Sequence, residues 1–528
     1  MKNRIIIFLM LLAGQLSKAQ TGLVDPGFNT ADSLISAFMN KWNIPGGAVT
    51  IAREGQLIYS RGFGYTDAGR TQRATPNTLF RIASVSKPIT ALAIMKLVQE
   101  GRLSLNQKVF GDQQIIARDY YLGRVSDPRV FDISVQHLLE HTSGWDRAFR
   151  EPGFSHNDPP FFPLHVSEVE QEQGPVGDST LIRFSLARGL QHTPGTVFAY
   201  SNIGYLILGK VIEQISGQSY YDYVDQHLLK PLGIADMRLG KNLPELKHER
   251  ESEYFGRSST LSCYGDGALV PSQYGGFNLE AMNAHGGWIA SAADLSRLLQ
   301  HLYTPGNSDV LFDMSTLELM SEPGEINPHY AKGWAVNAKK SMWHTGSIEG
   351  SASFVARTAD GTSWSFLFNS RADNSEQFWK EFDRLPWNCL KSIDEQHEPR
   401  NLFAPTVNVT ALYATAIVNG SALLRWNSGS GNGRIVIASE DTLNPVHPED
   451  GIIYAADDFY GQGETLGNRT FVVYQGKNNQ ALVSGLDPDK TYFITAYEYK
   501  LDETTSNLPV YRLAGRARIK LRALQPAI

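Results

Sequence analysis

Ser84 and Lys87 carry the clearest chemical signal in this sequence. They stand three residues apart in Phe80-Arg-Ile-Ala-Ser84-Val-Ser-Lys87, just ahead of a run with helical apolar spacing. If Ser84 opens that helix, the lysine lies one turn on and on the same face. The hydroxyl then feels the positive end of the helix dipole. A lysine desolvated enough to lose its proton draws the hydroxyl proton away and makes Ser84 a nucleophile. Ser-x-x-Lys is a common spacing by itself; Ser84 as a helix cap and Lys87 as a solvated side chain is the plain alternative. Two further groups weigh against that alternative. Pro194-Gly-Thr-Val-Phe-Ala-Tyr200-Ser-Asn202 puts a phenol and an amide on one short turn before a second helical run. Tyr200 suits a proton shuttle once a nearby cation lowers its pKa, and Asn202 suits a grip on Lys87 or on a substrate carbonyl. Taken alone, Tyr200 reads as a core aromatic. Trp343-His344-Thr345-Gly346-Ser347 then begins a strand-like stretch. A glycine there admits a ligand close to the backbone, and an edge strand offers free N–H groups.

A competing pattern is His137-Leu-Leu-Glu140-His141, the His-x-x-Glu-His order of an inverted zinc-protease motif. Histidines four apart on a helix share a metal. Thr142-Ser-Gly144 follows at once, so His141 falls where that helix ends. The structural reading has His141 bonding loop backbone and His137 half-exposed, and it carries no metal or other cofactor. A zinc metallopeptidase using His137 and His141 is the alternative enzyme.

These residues need elements to hold them. Helical spacing runs through Ile89 to Val98, ended by Gly101, and through Ile203 to Ile212, ended near Gly217. A third run, Leu295 to Leu302, follows Ser291-Ala-Ala-Asp294, which reads as a capping box with Ser291 as N-cap. Strand-like stretches are Gly47 to Ala52, Leu57 to Tyr65, Gly350 to Arg357 and Ser363 to Asn369, the last two flanking the turn Ala359-Asp360-Gly361. Strands at both ends with helices between predict an α+β fold whose terminal strands share one antiparallel sheet. The segment 148 to 192, with Pro152, Pro159, Pro160 and Pro163, reads as a surface loop over the site.

Past residue 394 the helical period vanishes. Alternating strands follow: Ala422 to Trp426, Arg434 to Ala438, Thr470 to Tyr474 and Thr491 to Tyr499. They predict an all-β sandwich. The expected division is a signal peptide at 1–19, a hydrolase region at 20–393, a linker at 394–406 and the sandwich at 407–528. The leader joins Lys2 and Arg4 to a short apolar run and ends on Ser17-Lys18-Ala19, a small-x-small cleavage site. No cysteine follows the run to take a lipid, so a secreted or periplasmic protein without a lasting membrane span is expected. A formal charge of −6 without a polybasic run gives no footprint for nucleic acid. The two cysteines, Cys263 and Cys389, fit no Cys/His zinc module, and their pairing is open.

Together, Ser84-x-x-Lys87, Tyr200-x-Asn202 and His344-Thr345-Gly346 resemble the three ordered elements of the serine β-lactamase and penicillin-binding-protein superfamily, in its class C, esterase and DD-peptidase-like branch. His137 to Gly144, Pro194-Gly-Thr196 and Gly286 to Ser291 add to the resemblance, which covers roughly residues 30 to 390. It implies a β-lactamase/transpeptidase-like fold, with Ser84 as nucleophile, Lys87 and Tyr200 as proton-transfer pair and Asn202 as organiser. It also implies substrate contacts at His344, Thr345 and Gly346, and an oxyanion hole from the backbone N–H groups of Ser84 and Ser347. The implied substrate is an ester, peptide or cell-wall-type small molecule. The superfamily's third element often begins with lysine, which attracts a substrate carboxylate; His344 stands there instead, so weak β-lactam turnover is expected. The superfamily also contains inactive sensor or scaffold proteins, a second alternative. The C-terminal segment resembles fibronectin type III domains through Trp426 and Leu486-Asp-Pro-Asp-Lys-Thr-Tyr492, a module that binds a protein or glycan ligand the sequence does not name.

Overall fold

The computed structural model describes residues 20–22, 26–53, 56–150, 157–302, 311–372, 375–393, 405–418, 420–440, 446–467, 469–487, 489–501, 509–513 and 515–522. The expected leader and residues 394–404 of the expected linker lie outside the described residues.

The sheet forms because two hairpins far apart in sequence meet. Gly46–Arg53 pairs with Gln56–Gly64, and Ser351–Arg357 with Ser363–Phe368. Gly46–Arg53 then pairs antiparallel with Ser363–Phe368, placing Val49 opposite Phe366. The complete order is Gln20–Gly22, Gln56–Gly64, Gly46–Arg53, Ser363–Phe368, Ser351–Arg357, Met342–Ile348, Ala335–Val336. Alternate residues serve opposite faces. Val49, Ile51, Phe354 and Phe366 join one core with Phe38, Phe378 and Phe382 of the helices Asn29–Trp42 and Glu376–Ser392. Ala48, Val355 and Leu367 face the helical region that carries the site. The sheet is therefore covered on both sides, and its central strands Ser351–Arg357 and Ser363–Phe368 have no exposed face.

The three expected helices appear as Ser86–Gln99, Asn202–Ser216 and Ala292–Gln300. Gly217 closes the second in the left-handed region at φ 74°. At the third, Ser291 Oγ accepts from the Asp294 N–H at 3.0 Å, while its hydroxyl donates back to the Asp294 carboxylate. The segment 148 to 192 departs from expectation. Its described part holds two helices, Pro163–Glu170 and Asp178–Arg188. Pro159 and Pro163 begin short helical turns, where a missing N–H removes no intrahelical bond, so these prolines start helices instead of marking loop.

In the C-terminal sandwich, Thr410–Val418, Ser421–Asn427 and Gln480–Val483 make one sheet. Thr465–Gly467, Thr470–Gly476, Gly433–Ser439, Thr491–Leu501, Pro509–Tyr511 and Ala517–Arg522 make the other. Trp426, Leu424 and Val483 of the first pack on Val436, Val473 and Ile494 of the second. The Asp487 N–H donates to the Tyr492 hydroxyl at 2.9 Å, tying the start of a long strand to the corner before it. The sandwich is docked. Arg73 makes a two-pronged ion pair with Glu449 at 2.9 and 2.8 Å, Asn77 donates to Asp450, and Arg516 pairs with Glu249. Cys263 and Cys389 are both buried free thiols, so they do not form a bridge.

Candidate active site

Ser84 lies in a tight turn, Ala83–Val85, that runs straight into Ser86–Gln99. Ala83 takes a left-handed φ of 47°, unusual for a residue with a Cβ, and this strained step delivers Ser84 to the helix mouth. Ser84 is half-buried, whereas Lys87, one turn on, is fully buried. The solvated-lysine alternative is therefore ruled out by position.

Lys87 Nζ has three oxygen partners: Asn202 Oδ1 at 2.7 Å, the His285 carbonyl at 2.9 Å and Ser84 Oγ at 3.2 Å. It also lies 4.8 Å from the Tyr200 ring centre and 5.7 Å from that of Tyr205. Burial pushes its pKa well below the ordinary lysine value; the Arg147 guanidinium adds to this, and the Asp158 carboxylate opposes it. A deprotonated amine in such a setting is a base within reach of a hydroxyl.

The Tyr200 hydroxyl lies near Ser84. The sequence expectation that a cation lowers its pKa is corrected. Burial raises the phenol above its ordinary value, and the pull of nearby Ser84 and of Arg147 does not reverse that. Tyr200 thus keeps its proton at working pH. Its ring is sandwiched, with the Arg147 guanidinium 4.5 Å from its centre and the His141 ring 4.3 Å away. Asn202 begins its helix behind Ser201, whose hydroxyl caps it by accepting from the Gly204 N–H at 3.1 Å. Its Nδ2 donates to the buried Asp158 carboxylate at 2.6 Å. A cleft lined by Trp145, Arg147, Asn157, Asp158, Ser185 and Asn202 opens here.

The two histidines of the zinc alternative do not face each other. The helix between them is only Val135–Leu139, so His141 lies beyond its end at a left-handed φ of 57°. His137 turns back to cap its own helix, its Nδ1 accepting from the Ser134 N–H. His141 Nδ1 accepts from the Ser201 N–H at 3.1 Å, which leaves the ring proton on Nε2, facing the Tyr330 hydroxyl at 3.1 Å. The metallopeptidase reading has no support in this arrangement.

His344 is placed differently from a substrate contact. It is buried, Nδ1 donates to the Thr345 carbonyl at 2.7 Å, and Nε2 faces the Tyr330 hydroxyl at 3.4 Å. Burial, then the neighbouring Lys87, lowers its pKa to about 3. Thr345 and Ser347 point outward from the same strand and are exposed. Only Met342 and Trp343 pair with Ala335–Val336, so the strand is an open edge from His344 onward. Gly346 touches the approach to Ser84: a Cβ built on it would lie 2.1 Å from the Ile82 carbonyl oxygen. Ser353, opposite Gly346 in the next strand, donates to that same oxygen at 2.7 Å. The strand and the Ser84 turn are thereby fixed to each other.

Sequence reasoning missed Arg147, Asp158, Tyr330 and His285. Asp158 and Asn202 are 44 residues apart, and His285 acts through its carbonyl, so no local spacing marks either. Arg147 follows the quoted His141-Thr-Ser-Gly stretch by three residues and was the nearest to being found.

An antiparallel sheet with a helical layer, and a serine, lysine and tyrosine meeting at the head of a buried helix, define the class of serine acyl-transfer folds. The Beta-lactamase family profile matches residues 31–385, about two thirds of the chain, and the chain belongs to that family. Protein flp of Staphylococcus aureus (strain MW2) is 28% identical over 333 residues, covering 61% of this chain and 59% of its own length. The chain thus spans about three fifths of the length of the first curated relatives it matches. The N-acetylmuramyl-L-alanine amidase of Bacillus subtilis (strain 168) is 26% identical over 327 residues, covering 56% of this chain and 68% of its own. Among solved structures, the D-amino acid amidase of Ochrobactrum anthropi SV3 matches with a TM-score of 0.53 at 22% identity, over 70% of this chain and 99% of that one. The octameric penicillin-binding protein homologue of Pyrococcus abyssi matches with a TM-score of 0.50 at 21% identity, over 93% of this chain and 99% of that one.

Proposed function

We propose that this protein is an exported serine hydrolase that cleaves an ester or amide through a covalent acyl-enzyme on Ser84. The observation that carries this is the triple contact of buried Lys87 with Asn202, the His285 carbonyl and Ser84. Ser84 Oγ attacks the carbonyl carbon as its proton passes to Lys87, and the carbonyl electron pair moves onto oxygen. The backbone N–H groups of Ser84 and Ser347 receive that oxyanion. On collapse the bond to the leaving group breaks, Tyr200 gives that group its proton, and Lys87 returns one to Tyr200. Water then attacks the acyl-enzyme with its proton taken by the same pair.

The substrate class is an ester, a D-amino-acid amide or peptide, or a cell-wall-type peptide. The names of the relatives favour it: a D-amino acid amidase, a muramyl-alanine amidase and a hydrolase with promiscuous acyltransferase activity. Neutral His344 offers no cation to a β-lactam carboxylate, so β-lactam turnover is weak at most. Export rests on the leader read at 1–19. The sandwich is a fibronectin type III-like module, supported by the buried Trp426 and the Tyr492 corner bond. Its partner is a protein or glycan outside the hydrolytic chemistry.

The test is labelling by a fluorophosphonate probe with peptide mapping, followed by turnover on aryl esters, D-amino-acid amides and a cephalosporin. Label on Ser84, its loss in Ser84→Ala and turnover of at least one ester or amide are expected. Full turnover by Ser84→Ala sinks the assignment, and an intact chain that neither labels nor turns over any substrate favours the inactive-scaffold alternative.

A further inference from the structure

We propose that Asp158 is a positioning residue of this site: by accepting from Asn202 Nδ2 it turns the amide oxygen of Asn202 toward Lys87 and so aims the lone pair of the amine at Ser84. The inference rests on the hydrolase reading above and deepens it.

The reasoning is a count of donors. A neutral amine has two N–H groups and one lone pair. The two shorter contacts of Lys87 Nζ are to oxygens that only accept, Asn202 Oδ1 at 2.7 Å and the His285 carbonyl at 2.9 Å. They take both N–H groups. The lone pair is left for the third partner, Ser84 Oγ at 3.2 Å, whose hydroxyl proton it is to receive. This holds only while Asn202 presents oxygen to Lys87. An amide rotated by half a turn presents N–H instead, donates to the lone pair and removes the base. Shape alone does not decide between the two, because the ends of an amide are nearly the same size. Asp158 decides. An ionised carboxylate only accepts, so the Asn202 end facing it at 2.6 Å must be the donor. Asp158 is buried and held just before Pro159 at the start of a helical turn, so this constraint is stiff.

Charge alone predicts the opposite result on mutation, which makes the two roles separable. The groups around Lys87 are Ser84 on its own turn, Tyr200, Asn202 and Tyr205 from the second helix and the turn before it, and His285 from Leu279–Gly286. Asp158, Arg147, His141 and His344 face it from the remaining segments. Among them Asp158 favours the ammonium form of Lys87. Removing its charge makes more Lys87 neutral, shifts the ascending limb of a pH profile to lower pH and leaves the plateau intact. Removing its directing role lowers the plateau.

The experiment uses the full chain. Asp158→Asn keeps the shape but lets the side chain donate, so the Asn202 amide is free to turn. Its Ser84 labelling rate and its kcat on a neutral aryl ester are measured from pH 6 to 10 beside wild type. The plateau is expected to fall about 100-fold, the scale of a positioned general base, with KM within about twofold. Asp158→Glu, still acceptor-only, is expected to recover about tenfold of that loss, since the direction of the Asn202 bond is preserved. In an Asn202→Ala background Asp158→Asn is expected to cost nothing further, because its effect passes through Asn202. If Asp158→Asn does not fold, Asp158→Ala takes its place in the same cycle. An unchanged plateau with only a shifted limb, equal loss in the Asn and Glu variants, or multiplicative loss in the double variant overturns the proposal. A labelled wild type with an equally reactive Asp158→Asn removes this inference alone; an unlabelled wild type removes it together with the hydrolase reading.

Discussion

Replacing Gly346 by alanine tests whether the third motif acts by holding the edge strand against the nucleophile turn. The new Cβ would lie 2.1 Å from the Ile82 carbonyl oxygen and 2.1 Å from Ser353 Oγ, where ordinary contact begins at 3.4 Å. The strand must retreat by about 1.3 Å to relieve the carbonyl clash, because Ile82 is held from behind by its N–H bond to the Trp288 carbonyl. Ser347 is the next residue and moves with the strand. An oxyanion donor works only at about 2.7–3.1 Å from the developing charge, so a shift above 1 Å takes the Ser347 N–H out of range. Losing one such donor costs about 10²–10³-fold in kcat, roughly 3–4 kcal/mol. Overpacking also costs about 1–3 kcal/mol of stability, so kcat on a neutral aryl ester is to be read well below the melting temperature. Folded Gly346→Ala protein turning over within threefold of wild type refutes the argument, since the strand would then be free to retreat without harm to the chemistry.

Two further outcomes follow from the structure. A chain ending at residue 393 keeps every catalytic candidate but strips Arg512 from beside Asp236, Asp294 and Arg250, and Glu449 from Arg73; it should melt at least about 3 °C lower while retaining ester turnover in the cold, and an unchanged melting curve would show the docking to be idle. The kcat/KM for a neutral ester should rise with pH as Lys87 loses its proton, at a pH below the ordinary lysine value, and hold to pH 10 because the Tyr200 pKa is raised; carboxylate-bearing substrates should gain nothing as pH falls to 6, because His344 protonates only near 3, and a gain of that kind would put a titrating His344 in the cleft.

The sequence was readable where local pattern and final position agree. Val49 and Phe366 sit in period-two runs, and the sheet pairs those runs across more than 300 residues. Ser84, Lys87, Tyr200 and Asn202 could be grouped from sequence because each stands at or just before the head of an apolar helical run, where spacing in sequence fixes spacing in space. The end of the helix before His141 was legible as well: Thr142-Ser-Gly144 marks it, the helix stops at Leu139, and the left-handed turn at His141 swings its ring under Tyr200. The misreadings have the opposite cause. Prolines at 159 and 163 looked like loop because composition does not say which position in a helix a proline takes. His344 occupies the family's lysine position, yet its protonation is set by burial and by the neighbouring Lys87, neither of which its local sequence encodes.

In the proposed mechanism the base is a lysine although three imidazoles stand nearby, and the same burial gives the reason. His141, His285 and His344 have pKa values lowered first by desolvation, the last to about 3, so burial favours the neutral imidazole with its single ring proton in each. A base needs a conjugate acid that survives long enough to return the proton, and an imidazole pushed this low is too weak to take one from serine. A lysine begins about four units higher, so desolvation lowers it from an alkaline starting value and not from one already near neutrality. The imidazoles serve as neutral struts instead. His141 donates from Nε2 to Tyr330, and Tyr330 in turn faces Nε2 of His344, so both rings keep fixed tautomers without carrying charge. Arg147 is the permanent cation stacked on Tyr200. It acts against an ammonium on Lys87 while Asp158 acts for one, and Asp158 also holds the Asn202 amide whose oxygen meets Lys87.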